Sequence, residues 1–381
     1  MIAKIPKHWK IKKLGEIANI SSGTTPFRKN PLFYDKADIP WVKTTDLNNS
    51  YITTTEEKVS MYALNNTSLR LYPTNTVLVA MYGGFNQIGR TGKLAMEATI
   101  NQALSALVLK NDDVNSDYLL FWLNANVEKW KRFAGSSRKD PNINGKDVAE
   151  FSILIPPLEE QEKIAEILLT CDKAIRLTTQ IITQLKQRNQ GLAQQLLTGE
   201  KSWKKSVLKN ITKIKKGEQL NVLNLNNKHK YPSYSGGITP SGYTDKYNTE
   251  KDTIIISEGG NSCGYINFIQ ENFWSGGHCY SIVNSSISKN INKMFLFYFL
   301  KKKQKEIMRL RVGSGLPNIQ KRDIELFEIE YPLLTEQNAI AQILDTAHQE
   351  LKLYEQKLQL LQAQKKTLMQ KLLTGEVLTV K

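Results

Sequence analysis

Apolar residues recur in steps of four and three along two long segments of the chain, residues 155–200 and 331–376. This spacing gathers apolar side chains into one stripe along a helix and is typical of a coiled-coil seam. Proline is absent from the interior of both segments, so each predicts a helix of about 38 residues, nearly 60 Å long. The predicted seam residues are Ile164, Leu168, Cys171, Ile175, Thr178, Ile182, Leu185, Asn189, Leu192 and Leu196 in the first segment, and Ile340, Leu344, Ala347, Leu351, Tyr354, Leu358, Leu361, Lys365, Leu368 and Leu372 in the second.

The two segments are copies of each other. They align without a gap at an offset of 176 residues (331 − 155), and about 19 of the 46 paired positions are identical. Each begins with proline ahead of an acidic first turn, which favours the positive end of the helix dipole. Each ends in Leu-Leu-Thr-Gly-Glu, where Gly199 and Gly375 fit a helix C-cap. An internal repeat of this kind indicates a pseudo-symmetric molecule.

Both seams carry a polar residue at the same step, Asn189 and Lys365, and such a residue fixes register at some cost in stability. A pseudo-twofold relation between the copies favours an antiparallel helix pair. The flanking residues repeat as well. The first copy leads into Trp203, and the second would lead into Trp9 if the chain ends were joined. We therefore expect the two ends of the chain to lie close together.

The blocks between the repeats resemble each other in outline. Each opens with Trp-Lys and a predicted apolar helix (9–23 and 203–217), and each has a β-branched strand that runs into paired glycines (76–84 and 253–260). Each ends with a helix, a Gly-Ser loop and Pro-Asn-Ile. The sequence thus predicts an α+β protein, with two mixed α/β domains separated by two long antiparallel coiled-coil helices in a circularly permuted, pseudo-twofold repeat. The predicted boundaries are 1–154 for the first domain, 155–200 for the first helix, 201–330 for the second domain and 331–381 for the second helix and tail.

The charge favours a polyanionic partner. The chain has 381 residues, with 52 Lys+Arg against 36 Asp+Glu and a net charge of +16. Neutralising phosphates releases condensed counterions, so such a charge favours nucleic acid over the alternative of a solvated basic surface. An apolar run of about 18 residues and a signal peptide are both lacking, which predicts a cytoplasmic protein without a membrane span. Three scattered cysteines do not make a disulfide framework.

Motifs for chemistry are weak. The stretch from Gly84 to Thr91 resembles a phosphate-binding loop but has Arg90 where lysine is required. Asn30-Pro31-Leu32-Phe33 lacks the second proline of the Asn-Pro-Pro-Phe element of adenine methyltransferases. Cys263, His278 and Cys279 lack a Cys-x-x-Cys pair and make a poor zinc site. We therefore expect no catalytic residue, no metal and no cofactor in this chain.

The ordered duplication resembles the DNA-specificity subunit of type I restriction–modification systems, over essentially the whole chain. The residues that carry the resemblance are the repeated Glu-Gln-x-x-Ile-Ala-x-Ile-Leu (160–168 and 336–344), Trp9 and Trp203 with Leu14 and Leu208, Asn101-Gln102, the paired-glycine turns and the Pro-Asn-Ile loops. Block two departs from block one at residues 274–280, where Trp-Ser-Gly-Gly-His-Cys-Tyr replaces Thr-Ile-Asn-Gln-Ala.

The resemblance implies a non-catalytic reader of double-stranded DNA. In that family each variable block recognises one half of a split target, and the repeated helices set the spacing and dock two methyltransferase subunits. It also implies restriction subunits with nuclease and translocase activity, and places S-adenosylmethionine, ATP and Mg²⁺ on those partners, which methylate adenine N6 and cleave DNA. The alternative within the same class is the specificity subunit of a fused methyltransferase–nuclease, of the type IIB or IIG kind.

The loops offer side chains that suit base edges. Arg and Lys match guanine, Asn and Gln match adenine, and glycine lets the backbone approach closely. Lysines such as Lys204, Lys209 and Lys213 suit phosphates, which position without specifying. The candidate DNA contacts are Ser21, Ser22, Thr24, Thr25, Tyr82, Gly83, Gly84, Asn86, Arg90, Arg138 and Lys139 in block one, and Lys215, Lys216, Tyr234, Ser235, Gly236, Asn261 and His278 in block two.

Overall fold

The computed structural model describes residues 5–84, 86–133, 142–199, 202–313, 315 and 317–379. By its contacts the chain divides into two compact units. Unit 1 consists of Met1–Thr178 together with Lys357–Lys381, and unit 2 consists of Thr179–Gln356. Each unit therefore contains one variable block and parts of both repeats.

Unit 1 is a mixed α/β structure, as predicted. Its strands are β1 (Lys10–Lys13), β2 (Ala18–Ser22), β3 (Ile39–Val42), β4 (Tyr51–Ile52), β5 (Glu57–Val59), β6 (Val77–Ala80), β7 (Thr91–Leu94), β8 (Thr99–Ile100), β9 (Leu104–Leu109) and β10 (Ser152–Ile155). Its helices are α1 (Leu14–Ile17), α2 (Met61–Asn66), α3 (Ser116–Ala125), α4 (Val127–Phe133), α5 (Gly145–Glu150) and the first half of α6 (Leu158–Leu196).

Unit 2 repeats most of these elements. Its strands are β11 (Lys204–Val207), β12 (Ile214–Lys216), β13 (Tyr231–Tyr234), β14 (Gly242–Thr244), β15 (Thr253–Ser257), β16 (Ile266–Ile269), β17 (Trp274–Ser275), β18 (Cys279–Ile282) and β19 (Glu328–Tyr331). Its helices are α7 (Leu208–Ile211), α8 (Lys293–Lys302), α9 (Gln304–Arg309), α10 (Lys321–Glu325) and the first half of α11 (Leu334–Leu373).

The sheets of the two units have the same topology. In unit 1 the strand orders are β2-β9-β6-β7-β4, β5-β3-β8 and β1-β10, and in unit 2 they are β12-β18-β15-β16, β14-β13-β17 and β11-β19. Only β4 lacks a counterpart among the described residues of unit 2. The central strands β6 and β15 are fully buried, as their continuous β-branched sequences predict.

The predicted helix at the start of each block is wrong. Residues 9–23 form strand β1, one turn of helix α1 and strand β2, and residues 203–217 form the equivalent β11, α7 and β12. The reason is tertiary: β1 pairs antiparallel with β10, from Lys10 opposite Ile155 to Lys13 opposite Ser152. A strand partner at the far end of the block overrides the local preference for helix.

The repeats form long helices of 39 residues (α6) and 40 residues (α11). Within unit 2 they pair antiparallel, because Lys186 bonds Glu355 at 2.9 Å whereas Arg188 bonds Glu350 at 2.7 Å. The side-chain nitrogen of Asn189 donates to the carbonyl of Ala347 at 2.8 Å. Within unit 1, Lys365 forms an ion pair with Asp172. Both polar seam residues thus bond across the helix pair, and all the predicted seam residues are buried or half-buried.

A buried glutamine attaches each helix start to its unit. Gln161 is fully buried, and its side chain accepts from the Asn115 N–H at 2.9 Å and donates to the carbonyls of Asp113 (3.0 Å) and Pro156 (2.9 Å). Gln337 makes the same three bonds, from Asn292 N–H (2.9 Å) and to the carbonyls of Asn290 (3.0 Å) and Pro332 (2.9 Å). We call each arrangement a glutamine clamp.

The first and last segments that the structure describes meet inside unit 1. Trp9 shares a hydrophobic core with Leu372 and Leu373, and a Cβ on Gly375 would lie 2.5 Å from Pro6. Gly375 has a φ of +72° just past the end of α11, so its predicted C-cap role is confirmed. The same prediction fails for Gly199, which lies beyond the end of α6 and outside the left-handed region. In the part of the chain that is described, no helix is long and apolar enough to cross a membrane.

Candidate nucleic-acid interface

The predicted contact residues of unit 1 that the structure describes lie at one edge of the five-stranded sheet. Strand β9 starts at this edge between the ends of β2 and β6, since Ser22 pairs with Ser105 and Ala80 with Leu104. Neighbouring strands are ~4.8 Å apart, so the ends of β2 and β6 are about 10 Å from each other. The loops that follow these two strands therefore share one surface, which we call the unit 1 edge.

Unit 2 has the same arrangement. Strand β18 starts between the ends of β12 and β15, since Lys216 pairs with Tyr280 and Ser257 with Cys279. The loops after β12 and β15 and the segment before β18 form the equivalent unit 2 edge. It contains the predicted contacts Lys215, Lys216 and His278.

A glycine after the first strand holds each edge together. A Cβ on Gly23 would lie 2.0 Å from the carbonyl oxygen of Ile100, and one on Gly217 would lie 2.2 Å from that of Gly276. The next residue donates its N–H to the neighbouring loop in both units, Thr24 to Ile100 at 3.0 Å and Glu218 to Ser275 at 2.8 Å. Close backbone approach thus excludes any side chain at these two positions.

Several predicted contacts of unit 1 are engaged in hydrogen bonds. Ser21 bonds the Tyr72 hydroxyl and Thr24 bonds Ser68, each at 2.8 Å, and Thr25 bonds Gln102. Arg90 donates to Gln87 at 2.8 Å. These bonds orient the loops. The side chains of Ser22, Tyr82 and Asn86 remain exposed at the unit 1 edge.

The paired glycines of unit 1 build the turn after β6. Gly83 and Gly84 have φ values of +110° and +78°, a conformation that residues with side chains disfavour.

Arg138 and Lys139, also predicted to contact DNA, lie outside the described residues.

The predicted contacts of unit 2 fall into two groups. Tyr234 is buried against Phe273 and Cys279, so its ring is a core group rather than a surface one, and burial raises its pKa. Gly236 (φ +82°) is also buried, and its carbonyl accepts from Ser257 at 2.6 Å. Ser235 is half-buried and Asn261 is exposed.

The unit 2 edge centres on a glutamate that the sequence reasoning missed. Glu258 follows β15, is 8% exposed, and accepts from the Lys216 ammonium at 2.6 Å and the Tyr280 hydroxyl at 2.8 Å. His278 lies beside it, with Nδ1 3.5 Å from Glu258 Oε2. Lys215 points elsewhere and pairs with Glu218 at 3.1 Å. The sequence contained one signal for Glu258, because this carboxylate stands between a predicted buried strand and a pair of glycines.

The two edges carry different chemistry at matched positions. The strand pairings make Ser22 equivalent to Lys216. Met81 is equivalent to Glu258, because Met81 N–H donates to the Ala103 carbonyl as Glu258 N–H donates to that of His278. Ala103 is therefore equivalent to His278. Small and apolar residues at the unit 1 edge thus correspond in position to the ionic cluster of the unit 2 edge.

Two further residues, both glutamines, were missed at the place where block two departs from block one. In unit 1, Gln102 bonds Thr25 across the edge. In unit 2 the glutamine stands on the other loop, and a Cβ on Gly277 would lie 2.5 Å from the side-chain oxygen of Gln219. Each edge thus has one glutamine side chain between the same two loops. The glutamine belongs to the loop before β9 in unit 1, and to the loop after β12 in unit 2.

The candidate metal residues do not form a site. Across the described ranges, no three His, Cys, Asp or Glu side chains gather where they could hold a metal ion. Cys263 and Cys279 are buried, and burial raises the pKa of Cys279 to about 12, so its thiol stays protonated at neutral pH. A protonated thiol is a poor metal ligand and a poor nucleophile.

Comparisons with family models and with known proteins identify the same family. The family model described as type I restriction modification DNA specificity domain matches residues 6–187 and 200–363. The chain is 32% identical over 207 residues to the type I restriction enzyme MjaIX specificity subunit of Methanocaldococcus jannaschii, covering 53% of this chain and 45% of that protein. It is 34% identical over 154 residues to the type I specificity subunit S.MgeORF438P of Mycoplasma genitalium, named as putative, covering 39% of each. The chain thus matches less than half the length of these two relatives.

The fold is also that of solved proteins. The crystal structure of a type I restriction–modification system S subunit from M. genitalium superposes with a TM-score of 0.71 at 19% identity, covering 97% of this chain and 96% of that one. A chain from a structure of an assembled type I restriction–modification system gives a TM-score of 0.59 at 16% identity, covering 98% and 100%. At these identities the likeness concerns the fold.

Proposed function

Because the chain belongs to the family of type I restriction modification DNA specificity domains, we propose that it is the DNA-reading subunit of a restriction–modification complex. The observation that carries this proposal is the duplication with divergence. The two units share sheet topology, edge glycines and glutamine clamps, whereas the residues exposed at their edges differ. Two scaffolds of one design with different edges suit a target made of two different half-sites.

Double-stranded DNA is the proposed ligand of both edges. The net charge of +16 supplies the sequence-independent attraction to phosphates, and exposed lysines of unit 2, such as Lys204, Lys209 and Lys213, are suited to phosphate contacts. Specificity then falls to the edge residues, which have donors and acceptors for base edges. The chain itself has no proposed catalytic role.

The partners follow from the family. We propose that the chain assembles with two methyltransferase subunits and with restriction subunits, in the cytoplasm. On this proposal S-adenosylmethionine, ATP and Mg²⁺ belong to the partners. Adenine inside a duplex must be flipped out before methylation, so the pocket for the flipped base belongs to the methyltransferase subunits. The runner-up, a fused methyltransferase–nuclease partner, has less support because the relatives reported above are named as type I specificity subunits.

A domain exchange tests the two-part proposal. Replacing residues 6–154 with the first domain of a relative of different specificity should change one half of the methylated target and leave the other half intact, because each unit carries its own edge. The measurement is methylation mapping by single-molecule sequencing in cells that express the methyltransferase subunits. Exchange of residues 202–330 is the matched control and should change the opposite half. If either exchange changes both halves, the modular proposal is wrong.

A further inference from the structure

The unit 2 edge contains a polar cleft. The matched positions at the unit 1 edge carry side chains of different chemistry. The cleft has a volume of about 410 Å³ and is lined by Lys216, Glu258, His278, Asn318 and the paired glycines. The equivalents of its three titratable residues at the unit 1 edge are Ser22, Met81 and Ala103. Whatever this cleft recognises is therefore specific to unit 2.

One oxygen of the buried carboxylate lacks a donor. Lys216 and Tyr280 both bond Oε1 of Glu258. Oε2 has no hydrogen-bond partner among the described residues, although the residue is more than nine-tenths buried. Nδ1 of His278 lies 3.5 Å from Oε2, which is longer than an ordinary hydrogen bond. A buried acceptor without a donor is unfavourable, so the site favours a conformation that supplies one.

His278 can supply that donor and so become oriented. Its side chain is 64% exposed and free to turn, and a shift of about 0.6 Å brings Nδ1–H to bonding distance of Oε2. A bond at Nδ1 fixes which ring nitrogen carries the proton and leaves Nε2 for a ligand. Lys216, whose side chain is 53% exposed, keeps two N–H donors beyond the one it gives Glu258.

We propose that Lys216 and His278 contact the N7-bearing edge of one purine in the DNA half-site read by unit 2, with Glu258 as the positioning residue for both. This inference rests on the proposed DNA-reading function. Both purines present the N7 acceptor in the major groove, and the Lys216 ammonium donates to it. The neighbouring position 6 meets His278 Nε2, which accepts from the amino group of adenine when the imidazole is neutral and donates to O6 of guanine when it is protonated.

A base edge suits this cleft better than a phosphate. The carboxylate of Glu258 neutralises the Lys216 charge at 2.6 Å, which removes much of the attraction for a phosphate group. What remains is a set of directed donors held by a buried group, and directed hydrogen bonds are what distinguish one base from another. The neighbouring Lys215 pairs with Glu218, which is exposed, and is the more suitable phosphate ligand.

The test uses the full chain in complex with its methyltransferase subunits, and a duplex with the target found by methylation mapping. Each purine of both strands is replaced in turn by its 7-deaza form, which lacks only the N7 acceptor. We expect one such replacement in the unit 2 half to weaken binding about tenfold or more. The natural base at that position, adenine or guanine, then decides the role of His278 Nε2.

The variants separate positioning from simple charge. Glu258→Gln and His278→Ala should each lower the discrimination among bases at the identified purine position about tenfold. In Glu258→Gln, the loss of binding caused by the 7-deaza replacement should also become smaller. Recognition of the other half should stay unchanged, which also reports correct folding. Lys215→Ala is the matched control, and should weaken every duplex by the same factor while the 7-deaza effect persists.

Two results would overturn the inference. One is a complex in which no N7 in the unit 2 half matters. The other is a uniform loss for all duplexes in Glu258→Gln and His278→Ala, which would indicate a phosphate contact. If exchanging residues 202–330 changes neither half of the target, the proposed function itself fails, and the purine contact fails with it.

Discussion

Gln161→Glu should destabilise unit 1 by about 2–6 kcal/mol, because two buried carbonyls lose their donor and each such loss costs roughly 1–3 kcal/mol. The substitution keeps the shape of the side chain. It replaces the NH₂ group that donates to the carbonyls of Asp113 and Pro156 with an oxygen, which cannot donate. The acceptor for Asn115 N–H is retained. The substitution therefore removes the donors of the glutamine clamp and adds a buried carboxyl group. Chemical unfolding and hydrogen exchange of unit 1 peptides measure the combined effect.

The second clamp provides a mirror-image control. Gln337→Glu should increase hydrogen exchange in unit 2 peptides and leave unit 1 unchanged. Gln190→Glu, at an exposed position of α6, should change the free energy of unfolding by less than about 0.5 kcal/mol. An unfolding free energy for Gln161→Glu within that same margin of the unsubstituted protein would show that the clamp is not a stabilising element.

The pH dependence of Gln161→Glu has a definite sign. Burial beside two carbonyl oxygens disfavours the charged form, so the introduced carboxyl has a pKa in the folded state above its unfolded value of about 4.3. The folded protein then binds the proton more tightly than the unfolded chain does. Part of the lost stability should thus return as the pH is lowered toward 4, and be lost again as the pH rises through the folded-state pKa.

Leu185→Pro should abolish assembly with the methyltransferase subunits, because it interrupts α6 where the helix pairs with α11 in unit 2. Proline removes a helical hydrogen bond and clashes with the preceding turn at a cost of roughly 3 kcal/mol or more. It also removes a buried seam side chain, which adds to the loss. The measurement is co-purification of the complex together with helix content by circular dichroism.

Conservative substitution at the same position separates the helix from the side chain. Leu185→Met keeps volume and helix propensity, so it should cost less than about 1.5 kcal/mol and leave assembly intact. Leu361→Pro is the counterpart in the second repeat and should have the same effect as Leu185→Pro. Normal complex formation by either proline variant would contradict the proposed scaffolding role of the helices.

The periodic parts of this fold were predictable because their signal is local. The seam steps of four and three gave both long helices, and the β-branched runs gave β6 and β15. The segments opening at Trp9 and Trp203 were mistaken for helices because their strand partners, β10 and β19, lie at the far ends of the blocks. No window of sequence contains that pairing.

The candidate interface was predictable only in outline. The loops after β2, β6, β12 and β15 were recognised from glycines and polar residues, and the structure brings them to one edge of each unit. Tyr234 was misplaced, because an aromatic residue beside glycines reads the same whether its ring is buried or exposed. Glu258 was missed because a lone carboxylate acquires meaning only from its neighbours Lys216, His278 and Tyr280, which lie on two other segments of the chain.

The division of the chain into units has a consequence for synthesis. Unit 2 is one continuous stretch, Thr179–Gln356, whereas unit 1 needs Lys357–Lys381 as well as Met1–Thr178. Leu368, Met369, Leu372 and Leu373 all pack in or against the core of unit 1. On a ribosome the unit translated first is therefore the one completed last, and it waits for a C-terminal segment that emerges after unit 2. A chain that stops after Gln356 would leave the later unit whole and the earlier one unfinished.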